Sequence, residues 1–372
     1  MTTNGEPVGI GIIGAGVISE VYLKNCGGVF DNLRVVGVAD LVPERAETHA
    51  EAFGIEALTV DGLLAHPEIG IVVNLTIPAA HAEVARRAIG AGKSVYNEKP
   101  LAMDRADSQA LVALAQERGV LVGGAPDTFL RGGLQTGRKA LDDGTIGTPV
   151  AASAHILSRG MEMWHPDPHF FYGPGAGPLF DIGPYYLTAL VSMLGPVGAV
   201  TGFARASFPE RTVTAEGPKR GTTIPVTTPT HIAASLQFRS GVIGSLIASF
   251  DVWEAPGRKS VLTIYGSEGT LHLPDPDVSD GPVTLVNAHT RETEVLPLTH
   301  GLAEDNRGIG VSDMARALRE GGAPPRASGE MAAHVVDIMQ SVLEAAETGR
   351  RVDFESRMTR PEPLPVSVPA NQ

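Results

Sequence analysis

A glycine-rich string near the start of the chain has the residue types of a dinucleotide phosphate site. GAGVIS, residues 14–19, follows the apolar run Val8–Ile13 and precedes a helical pattern. Glycines permit the sharp turn and the close approach of backbone N–H groups to a pyrophosphate, and a small sixth residue permits close helix packing. The overlapping string GIGIIG, residues 9–14, fits the same pattern but lies inside the apolar run, where its glycines would meet no phosphate. We expect the cofactor loop to contain Gly14, Gly16, Val17 and Ile18.

Asp40 has the position of a ribose-binding carboxylate. It follows a second apolar run, Leu33–Ala39, at a spacing from Gly14 that is typical of dinucleotide sites. A carboxylate here can accept both hydrogen bonds of an adenosine ribose diol, and it would repel a 2′-phosphate. Leu41 and Val42 follow, with no arginine, so NAD is favoured over NADP. The alternative is an Asp40 that is merely solvated at a strand end.

The elements around these motifs alternate between short apolar runs and helical patterns from residue 8 to residue 125. The runs predicted as strands are Val8–Ile13, Leu33–Ala39, Ile71–Ile77, Ser94–Tyr96 and Val120–Gly123. Helices are predicted near Val17–Gly27, Pro43–Phe53, Glu83–Gly92 and Arg105–Arg118. This alternation predicts an α/β Rossmann domain, a doubly wound parallel sheet. Ligands of such sheets bind at the carboxyl ends of the strands.

After about residue 126 the pattern changes to extended segments bounded by Gly, Pro, Asp and Ser. A hairpin is predicted around Ser240–Gly241, and helices near Leu134–Asp142, Val311–Glu320 and Glu330–Thr348. We expect an α+β C-terminal domain with a large, mainly antiparallel open sheet. The predicted domains are 1–125 for NAD binding, 126–358 for substrate binding and oligomerisation, and 359–372 as a proline-rich tail.

Composition restricts the class of partner. The chain of 372 residues has a formal net charge of −13, which opposes binding to a phosphodiester backbone, so nucleic acid is not expected as a partner. The single cysteine, Cys26, excludes an intrachain disulfide. No apolar stretch is long enough for a membrane span, and the N-terminus does not resemble a signal peptide. We expect a cytoplasmic protein without a membrane partner.

Three further strings connect the chain to a known family. They are TIPAAH (76–81), EKP (98–100) and GAGPLFDIGPY (175–185). Together with GAGVIS and Asp40, and in this order, they resemble the glucose–fructose oxidoreductase / inositol dehydrogenase / rhizopine catabolism (GFO/IDH/MocA) family of NAD(P)-dependent oxidoreductases. The motifs span the whole first domain and the glycine-rich segment of the second.

The resemblance implies a role for individual residues. Glu98 would hydrogen-bond the nicotinamide ribose, and Lys99 would reach the reacting hydroxyl or carbonyl of the substrate. A cis bond before Pro100 would aim the lysine. Asp181 would hold substrate or steer the general acid/base. The inner face of the cofactor would be lined by Thr76, Pro78 and His81.

Tyr185 stands where the commonest members of this family have histidine, which indicates a tyrosine-variant branch. A tyrosine with the ordinary pKa of about 10 is a better acid than base at neutral pH, although a neighbouring Lys99 ammonium would favour phenolate. The substitution therefore favours ketone reduction. Asp181 and Tyr185 are expected on one face of a helix started by Pro184. Alternatively, Tyr185 and Tyr186 both pack in the core around this helix. Of the two, Tyr186 is predicted to do so.

The segment from Trp164 to Tyr172 combines aromatic and polar groups densely, as sugar sites do. Trp164, His165 and His169 are candidate substrate contacts. A metal on His165, Asp167 and His169 is the alternative, as is a plain loop. Hydride transfer needs no metal, so none is expected. Arginines such as Arg159 could also reach a cleft, although sequence alone does not place them there.

These observations predict hydride transfer between NAD and a secondary alcohol or ketone of a sugar, cyclitol or related polyol, with Lys99 and Tyr185 handling the hydroxyl proton. One alternative is a glycoside-cleaving enzyme that works through a transient keto-sugar without net redox change. Another is a non-catalytic NAD-binding sensor, which would have no need of Lys99, Asp181 and Tyr185. A homodimer or homotetramer is expected, because the predicted strand VIGSLIASF is apolar on both faces.

Overall fold

The computed structural model describes residues 6–253, 261–278, 281–301 and 306–366, which divide into two compact units. The first unit holds the described residues up to Leu130 and those from 306 to Val336. The second holds those from Arg131 to 301 and from Asp337 onward. The predicted domain boundaries did not include the return of 306–336 to the first unit.

The first unit is built on a six-stranded parallel sheet with the strand order 3-2-1-4-5-6. Its strands are β1 (Val8–Ile13), β2 (Leu33–Ala39), β3 (Glu56–Leu58), β4 (Ile71–Asn74), β5 (Ser94–Asn97) and β6 (Val122–Gly124). All residues of β1 and β4 are buried, as expected for strands covered on both faces. The predicted doubly wound sheet is confirmed.

Five helices connect these strands: α1 (Ser19–Gly28), α2 (Pro43–Phe53), α3 (Val60–Ala65), α4 (His81–Gly90) and α5 (Arg105–Arg118). The bounds of β1, β2, α2 and α5 agree with the prediction. The strand predicted to reach Ile77 ends at Asn74, because Pro78 starts a short 3-10 turn. The short elements β3 and α3 were not predicted.

The second unit is built on a nine-stranded sheet with the order 16-15-14-13-7-12-11-8-17, beside a two-stranded ribbon of strands 9 and 10. Its strands are β7 (Pro149–Leu157), β8 (Val197–Arg205), β9 (Glu210–Thr212), β10 (Thr223–Pro225), β11 (His231–Phe238), β12 (Ile243–Ser249), β13 (Val261–Gly266), β14 (Gly269–Leu273), β15 (Val283–Asn287), β16 (Thr293–Leu296) and β17 (Val352–Asp353). Neighbouring strands are antiparallel except β7 and β12. The predicted large, mainly antiparallel sheet is confirmed, as is the β11–β12 hairpin.

The remaining helices are α6 (Gly132–Asp142), α7 (Gly177–Asp181), α8 (Gly183–Leu194), α9 (Ile309–Glu320) and α10 (Gly329–Thr348). Every residue of α8 is buried, so this helix forms part of the core of the second unit. Burial alternates along β11, which gives the sheet one buried face and one partly exposed face. Among the described residues, none of the helices combines the length and apolar character of a membrane span.

Candidate active site

The polar residues predicted to bind cofactor follow strands of the first unit at their carboxyl ends. Asp40 follows β2, and Glu98 follows β5. Because all six strands are parallel, these ends lie along one edge of the sheet. Three large apolar side chains are exposed just beyond strands at this edge: Val17, Leu41 and Ile77. Polar groups beside exposed apolar surface suit a ligand with both flat rings and charged linkers.

The glycine-rich loop lies between β1 and α1, where the sequence predicted it. Gly14 has φ +106°, and a Cβ there would lie 2.6 Å from the Leu75 carbonyl oxygen, so only glycine fits. Gly16 faces open space, and Val17 is 99% exposed. Ser19 begins α1, is fully buried, and donates a hydrogen bond of 2.6 Å to the Gly16 carbonyl. The loop therefore leaves room for a phosphate in front of a helix N-terminus.

The Asp40 carboxylate is held by the backbone on both oxygens. Its Oδ2 accepts from the N–H of Ala15 at 2.7 Å, and its Oδ1 accepts from the N–H of Val42 at 2.9 Å. Each oxygen keeps lone-pair capacity for a further donor. Asp40 thus connects the glycine-rich loop to the end of β2 and can still accept hydrogen bonds from a diol.

A buried side-chain network joins the segments after β4 and β5. Asn74 accepts from the Thr76 hydroxyl at 2.7 Å and donates to the His81 carbonyl at 3.1 Å. The His81 ring is 1% exposed, with Nδ1 2.7 Å from the Pro100 carbonyl oxygen and Nε2 3.0 Å from that of Thr76. His81, which the resemblance placed on the cofactor's inner face, therefore presents almost no surface there. It can act by positioning the two segments, whereas Pro78 is exposed.

The Glu98-Lys99-Pro100 segment has the cis bond before Pro100 that the resemblance implied. Glu98 is buried; its Oε2 accepts from the Lys99 N–H at 2.7 Å, and its Oε1 accepts from the Tyr22 hydroxyl at 3.2 Å. Burial, reinforced by the Glu98 charge, raises the pKa of Tyr22 well above its ordinary value. The Tyr22 hydroxyl therefore stays protonated and acts as a fixed donor.

Asp127 is a buried acidic residue at the same edge that the sequence analysis did not single out. Its Oδ2 accepts from the N–H groups of Gly308 at 2.9 Å and Gly310 at 3.0 Å. These donors belong to the N-terminus of α9, where a negative charge is stabilising. Asp127 fixes α9 to the end of β6. The only signal in the sequence is its place four residues after the predicted strand Val120–Gly123.

In the second unit, Asp181 and Tyr185 do not share one uninterrupted helix, so that prediction was wrong. Asp181 ends α7, and Tyr185 lies in the first turn of α8, with Ile182 between the two helices. The interruption has a local cause, because Pro184 has no N–H to continue the hydrogen-bond ladder. Tyr185 is 5% exposed and Asp181 is half-buried.

Tyr186 packs in the core, as predicted. It is fully buried, and its hydroxyl donates to Asp275 Oδ1 at 2.8 Å. This bond satisfies the one polar group of the side chain. Of the two adjacent tyrosines, Tyr185 therefore remains the candidate for proton transfer.

The predicted substrate-contact segment is partly exposed. Trp164 is exposed, and the half-buried His165 ring packs edge-on against Phe171 at 5.1 Å. Asp167 accepts from Lys219 Nζ at 2.7 Å and lies 3.3 Å from His169 Nδ1. The Lys219 hydrogen bond lowers the pKa of Asp167. The described residues contain no group of three side chains placed to hold a metal ion.

Two family models match the chain. An oxidoreductase family model with an NAD-binding Rossmann fold matches residues 8–124, and a GFO/IDH/MocA C-terminal domain model matches residues 134–272. Together they match most of the chain, and one match lies in each compact unit.

Individual relatives are enzymes of carbohydrate and cyclitol chemistry. Inositol 2-dehydrogenase of Rhizobium meliloti (strain 1021) is 37% identical over 141 residues, which cover 38% of this chain and 42% of that protein. 1,5-Anhydro-D-fructose reductase of Ensifer adhaerens is 27% identical over 361 residues, which cover 93% of this chain and 98% of that protein. The first alignment thus spans less than half of its relative.

The fold is shared with solved structures. The crystal structure of an NAD binding oxidoreductase from Klebsiella pneumoniae superposes with a TM-score of 0.81 at 22% identity, covering 93% of this chain and 99% of the other. At this identity the likeness shows the fold, and both units are included in it.

Proposed function

This chain belongs to the GFO/IDH/MocA oxidoreductase family, and from that premise we propose that it transfers a hydride between NAD and a secondary alcohol or ketone of a sugar, cyclitol or related polyol. The observation that carries the proposal is the assembly at one sheet edge of the glycine-rich loop, Asp40 and the Glu98-Lys99 pair. The substrate class is that of the relatives, whose names specify an inositol and an anhydro-fructose.

The first unit fits NAD in each part of the ligand. The space in front of Gly16 suits the pyrophosphate, and Asp40 suits the adenosine ribose diol. Glu98, held by Tyr22, suits the nicotinamide ribose. The residue after Asp40 is Leu41, which has no positive charge to attract a 2′-phosphate, and this supports NAD over NADP.

Asp40→Ala should therefore reduce the preference for NAD by roughly 10–100-fold, because a hydrogen bond to a charged group contributes about 1.5–3 kcal/mol.

When bound, the nicotinamide supplies the hydride donor or acceptor. The residues of this chain bind and orient, and move the proton of the substrate oxygen. In the proposal the Lys99 ammonium stabilises negative charge on that oxygen, and Tyr185 donates or accepts its proton. Asp181 holds a neighbouring hydroxyl. Tyr185 in place of histidine supports assignment to a tyrosine-variant branch and favours the reductive direction.

An absorbance assay of nicotinamide oxidation and reduction tests this function. It would cover aldoses, inositols, keto-sugars and glycosides in both directions, with NAD(H) and NADP(H) in parallel. Polyol-dependent formation of NADH supports the proposal. Cleavage of a glycoside without net NADH would instead establish the redox-neutral enzyme. Tight NAD binding with no turnover of any of these compounds would indicate a sensor.

The second unit supports a homo-oligomer, either a dimer or a tetramer. Its sheet exposes Phe203 on β8 and Ile243 on β12. An exposed face of this kind is commonly covered by a partner subunit. Light scattering at micromolar concentration would report the mass, and a monomer would contradict the proposal. The cytoplasmic location stays a prediction.

A further inference from the structure

A cavity of about 330 Å³ lies within the second unit, and neither Asp181 nor Tyr185 lines it. We refer to it as the Trp253 pocket. Its main lining residues are Arg159, Phe208, Glu210, Arg211, Thr212 and Trp253. The volume is at the lower end of the range for small-molecule sites, which is the size class of a single sugar ring.

The floor of the Trp253 pocket is a buried ion-pair cluster around Arg211. Its Nε donates to Glu162 Oε1 at 2.8 Å, and its Nη1 donates to Asp251 Oδ1 at 2.8 Å. Nη2 donates to the Phe250 carbonyl at 3.1 Å. The Arg211 charge is thus matched by two carboxylates, so this arginine has little capacity to attract an anionic ligand. It gives the pocket a rigid polar floor.

The wall of the pocket combines a cation with two aromatic rings. The Arg159 guanidinium carbon lies 5.0 Å from the centre of the Phe208 ring and 5.4 Å from that of Trp253. In the described part of the chain, Arg159 makes one long side-chain hydrogen bond, 3.4 Å to the Asp251 carbonyl. A guanidinium has five N–H donors, so several remain for a ligand. Trp253 is 73% exposed and offers a broad apolar face.

The net charge of the pocket excludes selection for an anion. Arg159 and Arg211 supply two positive charges, and Glu162 and Asp251 supply two negative ones. Exposed Glu210 adds a further carboxylate at the rim. Donors, acceptors and an exposed ring without excess positive charge suit an uncharged polyhydroxylated ring, whose C–H face stacks and whose hydroxyls hydrogen-bond.

The pocket lies at the end of the second unit's sheet that also carries the α7–α8 junction. Strands β7, β8 and β12 run in the same direction, and their last residues share one register row with His231 of β11. The pocket residues follow these strand ends. Ile182, the residue between α7 and α8, packs against the buried cluster that contains Val213 and Phe250, and the Phe250 carbonyl accepts from Arg211 of the pocket.

We propose that the Trp253 pocket binds an uncharged sugar or cyclitol ring as a subsite for the part of an extended substrate that is not oxidised. The binding of a ring in this pocket does not depend on the proposed function. The connection of that ring to the reacting ring rests on it. The substrate class it implies is a glycoside or disaccharide rather than a free monosaccharide. The ring in the subsite would stack on Trp253 and donate to and accept from Glu210, Thr212 and Arg159.

Tryptophan fluorescence tests ring binding without any turnover. The chain has two tryptophans, so Trp164→Phe leaves Trp253 as the sole reporter. In this background we expect a saturable emission change with methyl glucoside, cellobiose or myo-inositol at millimolar concentrations, and a weaker one with glucuronate. Arg159→Ala should weaken binding of the uncharged probes at least about tenfold, and Phe53→Ala, at an exposed ring at the end of α2 and outside this pocket, should not.

A catalytic comparison tests the connection to the reacting ring. In full-length protein, Trp253→Ala should raise KM for glycosides and disaccharides with little change for monosaccharides, and thermal unfolding would check that the variant folds. Absence of any saturable fluorescence change with the uncharged probes would overturn the subsite. Saturable binding that persists in a protein without redox activity would instead reject the proposed function and keep the subsite.

Discussion

Lys99 carries the proposed electrostatic role, and its backbone is fixed independently of its side chain. The Lys99 N–H donates to Glu98 Oε2 from the backbone, so Lys99→Ala should leave the segment in place. We expect turnover to fall to background with NADH affinity largely unchanged, measured by nicotinamide absorbance and by fluorescence titration. Lys24→Ala, at an exposed lysine of α1, is the matched control. Unchanged turnover would remove Lys99 from the mechanism.

Tyr185 and Tyr186 form a natural pair for separating chemistry from packing. Tyr185→Phe should lower kcat by roughly 10²–10⁴-fold if the phenol transfers a proton. Tyr186→Phe should instead cost about 1.5–3 kcal/mol of unfolding free energy, because it removes the hydroxyl's hydrogen bond to the Asp275 carboxylate, which keeps the Asp277 N–H as a donor. Steady-state kinetics and urea unfolding of both variants measure the two effects. A loss of only a few-fold in Tyr185→Phe would assign that residue to packing.

At the scale of residues, the sequence could predict groups whose chemistry is specified by a motif, such as Gly14, Asp40 and Glu98. It could not predict Tyr22, because the hydrogen bond from Tyr22 to Glu98 joins α1 to the end of β5 across 76 positions of the chain. Neither residue type nor spacing specifies such a contact. The environment of His81 was missed for the same reason, since its ring nitrogens lie beside the backbone carbonyls of Pro100 and Thr76, and no side-chain type specifies a backbone contact.

Among the elements, α9 has its N-terminus held by the Asp127 carboxylate, which accepts from two backbone N–H groups there. Asp127→Ala leaves the N–H groups of Gly308 and Gly310 without this acceptor, at a cost of about 1–3 kcal/mol for each buried donor left unpaired. Asp127→Asn keeps an acceptor oxygen and should cost less. Urea unfolding measures both losses.

The control for this prediction is another helix start. Asp104 caps α5 by accepting from the Asp107 N–H at 2.8 Å, so Asp104→Ala should cost about 0.5–2 kcal/mol. An Asp127→Ala loss no larger than that of Asp104→Ala would show that the double acceptance and burial of Asp127 add nothing to an ordinary cap.

Elements with strong local signals were predicted to the residue, and weak ones were not. Pro43 at the start and Gly54 after the end determine α2, and Asp104 and Gly119 do the same for α5. Strands β3, β9, β10 and β17 have two or three residues each, too few to show alternation. Pro184 predicts a helix start, which α8 confirms, but a proline also lacks the N–H that would continue a helix from the preceding turn, so α7 ends before it.

For the whole molecule, the fold class of each unit could be predicted from the change in hydrophobic pattern along the chain. The sequence did not predict that a later segment of the chain returns to the first unit. Residues from 306 to Val336 belong to the first compact unit, and the helix α10 contributes to both units. Sequence periodicity shows that α9 is a helix but not which core it joins. The contacts that join it to the first unit involve residues remote in the chain, among them the hydrogen bonds of Asp127 with Gly308 and Gly310 and those of Asn32 with Ser312.

The proline-rich tail is predicted to be held to the second unit in a pH-dependent manner. Leu364 donates through its N–H to Gln135 Oε1 at 2.8 Å, and its carbonyl lies 3.2 Å from His300 Nε2. The other ring nitrogen, Nδ1, lies 2.9 Å from the Thr299 hydroxyl. Neutral His300 can donate from Nε2 to the Leu364 carbonyl and accept at Nδ1 from the Thr299 hydroxyl. Protonation would turn Nδ1 into a donor, so the Thr299 hydroxyl would have to accept from it, and it would place a positive charge on a buried ring.

Burial lowers the pKa of His300 below its ordinary value. The hydrogen bond to the Leu364 carbonyl opposes this shift, and the nearby Lys139 charge adds to it. A histidine whose folded pKa lies below its unfolded value stabilises the fold above the unfolded pKa, and this contribution is lost as pH falls through the folded pKa. We therefore expect the stability that His300 contributes to be complete above about pH 6.5 and to decline at lower pH.

His300→Gln keeps a donor for Leu364 but does not titrate. The difference in urea-unfolding free energy between wild type and His300→Gln should shrink as pH falls from about 7.5 to about 5. His289→Gln, at an exposed histidine between β15 and β16, should show no such trend, and a pH-independent difference for His300→Gln would contradict the proposed coupling of the tail to this imidazole.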